Sequence, residues 1–283
     1  MGTKFYGKSQ EVGEKVIKMF ESGDVPEALS QIFVNRSDNI PSSAWSWRNR
    51  FLVAINGTVD ARGFNQWKAS GRKVSKGSRA FYILGPCIAK KDVTDEVGEM
   101  VKKPFLYGFK PIPVFALEST EITDDDTWEK CSSIDHNEET RLKNLPLVDV
   151  AKAWGLKVTS YNEQGSSALG RYSHGRGIAL GTKNLSTWTH ELIHAADDRN
   201  GTIVKGAGQN SGNEIVAEIG GAVLLKIMGY EKEADLGGAW EYVKSYSKDG
   251  KEKAIRRCFD LIDRTCKAVD LVINTAKHPQ CSE

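Results

Sequence analysis

The chain is poor in cysteine and histidine, with five of each in 283 residues, and its formal net charge is only +2. Cys87, Cys131, Cys258, Cys266 and Cys281 are odd in number, scattered and never spaced as CxxC. This disfavours a disulfide scaffold, a zinc ribbon and a thioredoxin-like site, and fits a reducing cytoplasm. No stretch approaches the ~18 uninterrupted apolar residues of a membrane-spanning helix. The opening MGTKFYGKSQEVGEK lacks the apolar segment of a secretory signal, so no export is expected and a cytoplasmic location is. Prolines number eight, and neither an internal repeat nor a low-complexity tract is present, which argues against a fibrous or disordered chain. What remains is 40% apolar and 27% charged side chains, the balance of a globular protein with one large domain or two ordinary ones.

The small net charge hides an asymmetry. Residues 1–120 carry 18 Lys+Arg against 12 Asp+Glu, and residues 121–283 carry 21 against 25. Within the first part, 48–91 hold ten basic side chains and one acid, Asp60. Such a split predicts two halves with different partners, the first polyanionic. Residues 118–145 are rich in Asp and Glu and poor in apolar side chains, the texture of an exposed connection. The expected division is therefore a domain over 1–120, an acidic linker over 121–145 and a second domain over 146–283.

Local patterns predict an α+β first half. Val12, Val16, Ile17 and Phe20 recur at helical spacing up to Ser22-Gly23-Asp24, and a second short helix follows over 26–33. The apolar run 51–55 reads as strand or helix; 64–70 reads as a short helix, and 80–84 and 112–117 as strands. The second half is predicted to be mostly helical with a short sheet. Strands are expected over 157–161 and 177–181, and helices over 147–154, 186–199, 212–228, 236–246 and 252–276. In the last of these Ile255, Phe259, Ile262, Cys266, Val269 and Ile273 form one apolar stripe, a packing face.

The strongest chemical signal is Thr189-His190-Glu191-Leu192-Ile193-His194-Ala195, an HExxH sequence. Residues four apart share one helix face, so both imidazoles can reach one Zn²⁺, with other divalent ions also fitting such donors. Glu191 stands beside them, placed to accept a proton from a water that the ion activates. A catalytic zinc takes three protein ligands and keeps a position for water. Nineteen residues separate His194 from Glu214 in Asn213-Glu214-Ile215-Val216-Ala217-Glu218, enough for a loop and a return helix. This spacing resembles that of the thermolysin-like gluzincins, whose third ligand is a glutamate. The resemblance implies that Glu214 is the third ligand, and that Glu218 holds the free ring N–H of a ligand histidine. The expected chemistry is metal-assisted hydrolysis of a peptide amide. Tyr172 and His174 could edge the cleft.

Residues 45–91 interleave rings with cations, the mixture that single-stranded nucleic acid needs: cations for phosphates, aromatic faces for splayed bases. Trp45, Trp47, Arg48, Arg50, Arg62, Trp67, Arg72, Lys73, Lys76 and Arg79 are the expected DNA contacts. Tryptophan is more often core than platform, so part of the ring set is expected inside. Gly71-Arg72-Lys73-Val74-Ser75-Lys76-Gly77-Ser78-Arg79 reads as an exposed loop.

Taken together, Trp47-Arg48-Asn49-Arg50, Asp60-Ala61-Arg62-Gly63-Phe64-Asn65-Gln66-Trp67, Gly71-Arg72-Lys73-Val74-Ser75-Lys76-Gly77, Pro113-Val114-Phe115, the HExxH sequence and Glu214-Ile215-Val216-Ala217-Glu218 resemble the ArdC-type antirestriction proteins of conjugative plasmids and related mobile elements. The resemblance runs over roughly 10–275. It implies an N-terminal domain that binds single-stranded DNA, a zincin-like metallopeptidase domain, and protection of incoming DNA from restriction. Three readings compete: a peptidase brought to its target by DNA, a non-catalytic DNA-shielding protein whose metal is structural, and a peptidase unconnected with nucleic acid.

Overall fold

The computed structural model describes residues 4–34, 40–94, 100–123, 146–160, 169–182, 184–203, 211–230, 244 and 250–278. Most of the acidic stretch 121–145 and nearly all of the helix expected over 236–246 lie outside the described residues, as do Cys131 and Cys281.

The first half is α+β. Strand β1 (Lys4–Phe5) leads into helix α1 (Ser9–Ser22), closed by Gly23 in the left-handed conformation, and helix α2 (Val25–Val34) follows. The ambiguous run at 51–55 is helical: α3 (Trp47–Ala54) starts where the Ser46 hydroxyl accepts the Asn49 amide. Next come β2 (Ala61–Arg62), α4 (Phe64–Ala69) and β3 (Arg72–Val74). A long antiparallel hairpin, β4 (Phe81–Thr94) and β5 (Met100–Ala116), dominates the sheet. Strand β5 also pairs with β1 in parallel and with β2 in antiparallel. The two expected strands, 80–84 and 112–117, are thus only the root of a much longer ladder, where Ile83, Leu84 and Val114 are buried. Gly85-Pro86 does not end β4: among the described residues no strand pairs with β4 on the side away from β5, so no ladder amide is needed from Pro86 and the strand runs through it.

Part of the expected basic loop and the first acidic residues also form structure. β3 pairs with β6 (Thr120–Ile122), setting Lys73 across from Glu121 with their charges 3.3 Å apart. The segment read as the start of a linker is here the partner strand of the basic one.

The second half contains α5 (Val148–Ala153), β7 (Lys157–Ser160), β8 (Gly170–Ser173), β9 (Gly177–Leu180), α6 (Leu185–Arg199), α7 (Ser211–Ile227) and α8 (Lys251–Lys277). In its sheet β9 lies between β7, parallel to it, and β8, antiparallel, so β8 is an edge among the described residues. Of the α8 stripe, Ile255, Phe259, Ile262, Cys266 and Val269 are buried and Ile273 is half-buried; Cys258 and Cys266 are buried packing groups of this helix. Burial pushes the Cys258 thiol up to about 12.

One apolar cluster runs through both halves. Val16, Phe20, Leu29 and Phe51 belong to the same core as Ile193, Val223, Ile255 and Phe259. Ion pairs edge the junction: Lys226 with Glu27 at 2.9 Å, Lys251 with Glu14 at 2.5 Å, and Arg48 with Asp263 at 2.5 Å and Asp260 at 3.2 Å.

Candidate metal centre

Helix α6 begins where the Asn184 side chain accepts the Ser186 amide at 3.0 Å. Its buried Trp188, Leu192, Ile193, Ala195 and Ala196 face the core, and the Trp188 indole N–H donates to the Pro146 carbonyl at 2.6 Å. That fixes the helix about its axis and turns His190 and His194 toward α7. The two helices approach through Gly220 and Gly221. A Cβ on Gly221 would lie 3.1 Å from the His190 amide nitrogen, and one on Gly220 3.0 Å from the Ile193 side chain.

This close packing brings Glu214, in the first turn of α7, against both imidazoles. His190 Nε2 and His194 Nε2 are 3.1 Å apart, and they lie 3.4 and 3.7 Å from the Glu214 carboxylate oxygens. A tetrahedral ion with bonds of about 2.0–2.1 Å spaces its donors by about 3.4 Å, so this set fits a divalent ion. His190, His194 and Glu214 are the three-donor group found among the described residues. Hydrogen bonding to the two histidines holds the Glu214 carboxyl well below the usual carboxylate range.

Glu191 is adjacent but outside this donor group and is buried. Burial pushes its carboxyl up, while His194 and His190 draw it back. Strand β8 passes directly over it: a Cβ on Gly170 would sit 2.9 Å from Glu191 Oε1, and the Tyr172 backbone amide faces the same carboxylate. Glu218 stands half-buried one turn beyond Glu214.

Two positioning networks were not read from sequence. The Arg264 guanidinium of α8 donates to Asp197 Oδ1 at 2.8 Å, to Asp197 Oδ2, and to Asn213 Oδ1 at 2.5 Å. It thereby ties the turn after His194 to the residue before Glu214. The Thr202 hydroxyl donates to the same Asp197 carboxylate at 2.5 Å. In the second network Asp198, one turn beyond His194, accepts the Tyr172 hydroxyl at 2.6 Å and contacts His174 Nδ1. Tyr172 and His174 thus edge the site by holding β8 to α6. The sequence signal was there, since Asp197-Asp198 continues the i, i+4 rows of His190 and His194, but the partners are remote in the chain.

The expected DNA contacts are placed very differently from one another. Trp67 is 0% exposed, with its indole N–H donated to the Phe115 carbonyl at 2.9 Å, so it has no face for a base. Arg50 is buried over the Trp47 ring, 4.1 Å from its centroid, and donates to the Ile32 carbonyl. These two are structural, a correction forced by burial. Trp47 packs half-buried on Phe33, and Arg62 is paired with Asp60 at 2.7 Å above Trp67. Arg72 donates to the Thr120 hydroxyl at 2.7 Å, and Lys73 faces Glu121. Trp45 and Arg48 line a mainly apolar cleft of about 490 Å³ with Pro86, Phe109 and Ile112, where Arg48 is already engaged by Asp263. Lys76 and Arg79 are exposed.

No protein-family model and no curated protein matches the sequence. Solved structures do. The chain superposes on the metal-free crystal structure of the antirestriction ArdC protein from plasmid R388 with a TM-score of 0.60, at 20% identity, over 95% of this chain and 97% of that one. It superposes on the Mn(II)-bound structure of the same protein with a TM-score of 0.58, at 18% identity, over 97% and 100%. Over nearly its whole length, the chain has the fold of an ArdC antirestriction protein.

Proposed function

We propose that this is an antirestriction-type protein of the cytoplasm that binds single-stranded DNA through residues 1–120. In 146–283 it carries a metal-dependent, gluzincin-like site that hydrolyses a peptide bond. The observation that carries the hydrolytic reading is the convergence of His190, His194 and Glu214 with Glu191 buried beside them and left out of the donor group. A donor set of two imidazoles and one carboxylate suits Zn²⁺ and also accepts Mn²⁺; the R388 ArdC structure with Mn(II) supports a divalent ion here. His190, His194 and Glu214 would hold the ion, which when bound supplies Lewis acidity to a carbonyl and acidifies a water.

The chain's own residues supply the rest. Glu191, its carboxyl pushed up by burial, is suited to take a proton and pass it to the leaving amine. The β8 backbone fixes that carboxylate from one side, and α6 fixes it from the other. Glu218 would orient a ligand imidazole. The test is Glu191→Gln on the metal-loaded protein, with a peptide library as substrate. Loss of cleavage with unchanged metal content and oligonucleotide affinity supports the reading. Undiminished cleavage, or no cleavage by the wild type with either ion, overturns its hydrolytic part.

A further inference from the structure

A combination of exposed cations, an exposed ring and a half-buried one lies on the outer hairpin, outside the expected contact set. In β4 and β5 no described side chain of 88–93 or 100–107 is buried. A two-stranded ladder exposed on both faces has little core of its own to hold it. Its register decides what each face carries. Lys91 is directly across from Lys103, and Ala89 from Phe105, so these four share one face, which also carries Lys110 across from Gly85. Two ammonium groups directly opposite repel one another, and an anion laid between them relieves the repulsion. Lys91 Nζ also stands 5.8 Å from the centroid of the Phe105 ring.

A bulge adds a second ring to that face. Cys87 pairs with Gly108 and Ile88 with Leu106, which leaves Tyr107 as the extra residue of β5. Its ring lies 6.3 Å from that of Phe105, and the residue is 43% exposed. The bulge is closely packed against the N-terminal segment: a Cβ on Gly108 would fall 2.5 Å from the Tyr6 ring and 2.8 Å from the Lys4 carbonyl.

From this juxtaposition we infer that the outer β4–β5 hairpin is the single-strand contact surface, with Phe105 and Tyr107 stacking on bases and Lys91, Lys103 and Lys110 meeting phosphates. The inference rests on the DNA-binding reading above and gives it a location. A single strand offers both flat apolar faces and regularly spaced charge. A duplex hides its bases, and an acidic peptide brings charge without the stacking faces. Asp92, next to Lys91, bounds the footprint at its outer end, and Lys110 bounds it toward the root of the hairpin.

The test is fluorescence anisotropy with a labelled oligothymidylate of about 20 nucleotides across a salt series. Tyr107→Ala is expected to weaken binding by about 5- to 150-fold, the range for one stacked base. The triple variant Lys91→Gln, Lys103→Gln, Lys110→Gln is expected to lower the log–log salt slope by about 2, at ~0.7 per phosphate contact. Lys152→Gln with Lys157→Gln, exposed cations of the second half, serves as the control pair and is expected to change little. Photocrosslinking of a 5-iodouracil oligonucleotide to the wild-type protein should place the adduct on Phe105 or Tyr107, a readout that does not depend on any variant folding. Wild-type binding with unchanged variants, an adduct elsewhere, or equal competition by a duplex or an acidic peptide overturns the hairpin assignment and leaves DNA binding standing. Absence of salt-sensitive wild-type binding overturns both.

Discussion

Arg264→Met tests the packing argument behind the metal centre most sharply. The Asp197 side chain is 1% exposed, and its two strongest partners are the guanidinium nitrogens of Arg264, itself 12% exposed. Removing the cation leaves a buried carboxylate with the Thr202 hydroxyl as its remaining side-chain donor among the hydrogen bonds described. Breaking a buried pair from one side costs about 3–5 kcal/mol, because the remaining charge is neither hydrated nor neutralised. For a chain of this length about 2–4 °C accompany each kcal/mol, so the midpoint should fall by roughly 6–20 °C. Thermal and urea unfolding followed by circular dichroism, in chelator, measure this without any metal contribution. The double variant Arg264→Met, Asp197→Leu removes both charges and should recover much of the loss. Because Arg264 also holds Asn213 beside Glu214, the single variant should bind metal about 10- to 100-fold more weakly. A cost below about 1 kcal/mol, or a double variant as unstable as the sum of the singles, would refute the reasoning.

Two further outcomes follow from the same geometry. Gly221→Val presses side-chain carbon against the His190 backbone, its Cβ 3.1 Å from the amide nitrogen; separating α6 from α7 should cost about 1–3 kcal/mol and weaken metal binding, as unfolding and metal titration would report. In metal-free protein, pH should act in opposite senses on two carboxylates. Glu191, raised by burial, favours the folded state below the ordinary glutamate range and loses that contribution as pH rises, so Glu191→Gln should gain on the wild type at neutral pH and converge with it near pH 4. Glu214, lowered by the two histidines, contributes above that range and loses the contribution as pH falls, so Glu214→Gln should be the less stable variant at neutral pH. Denaturant midpoints from pH 4 to 8 decide both.

What was legible in the sequence was local. HExxH needs only one helix turn to bring its imidazoles together, and the α8 stripe needs only helical periodicity. Glu214 came from its spacing and a resemblance, and the close approach through Gly220 and Gly221 is the physical reason that spacing works. What escaped depends on contacts distant in the chain. Nothing near Arg48 announces Asp263, 215 residues away, and nothing near Trp67 announces the Phe115 carbonyl that buries it. The hairpin escaped for a different reason. A ladder exposed on both faces has no alternation of apolar and polar residues, so Lys90-Lys91 and Lys102-Lys103 carry no strand signal while its apolar root does.

The most direct measurement is the metal content and affinity of purified protein, by elemental analysis and titration with Zn²⁺ and Mn²⁺. One divalent ion per chain is expected, lost in His190→Ala, His194→Ala and Glu214→Ala and retained in Glu191→Gln. No bound ion, or binding indifferent to Glu214→Ala, would contradict the three-donor site.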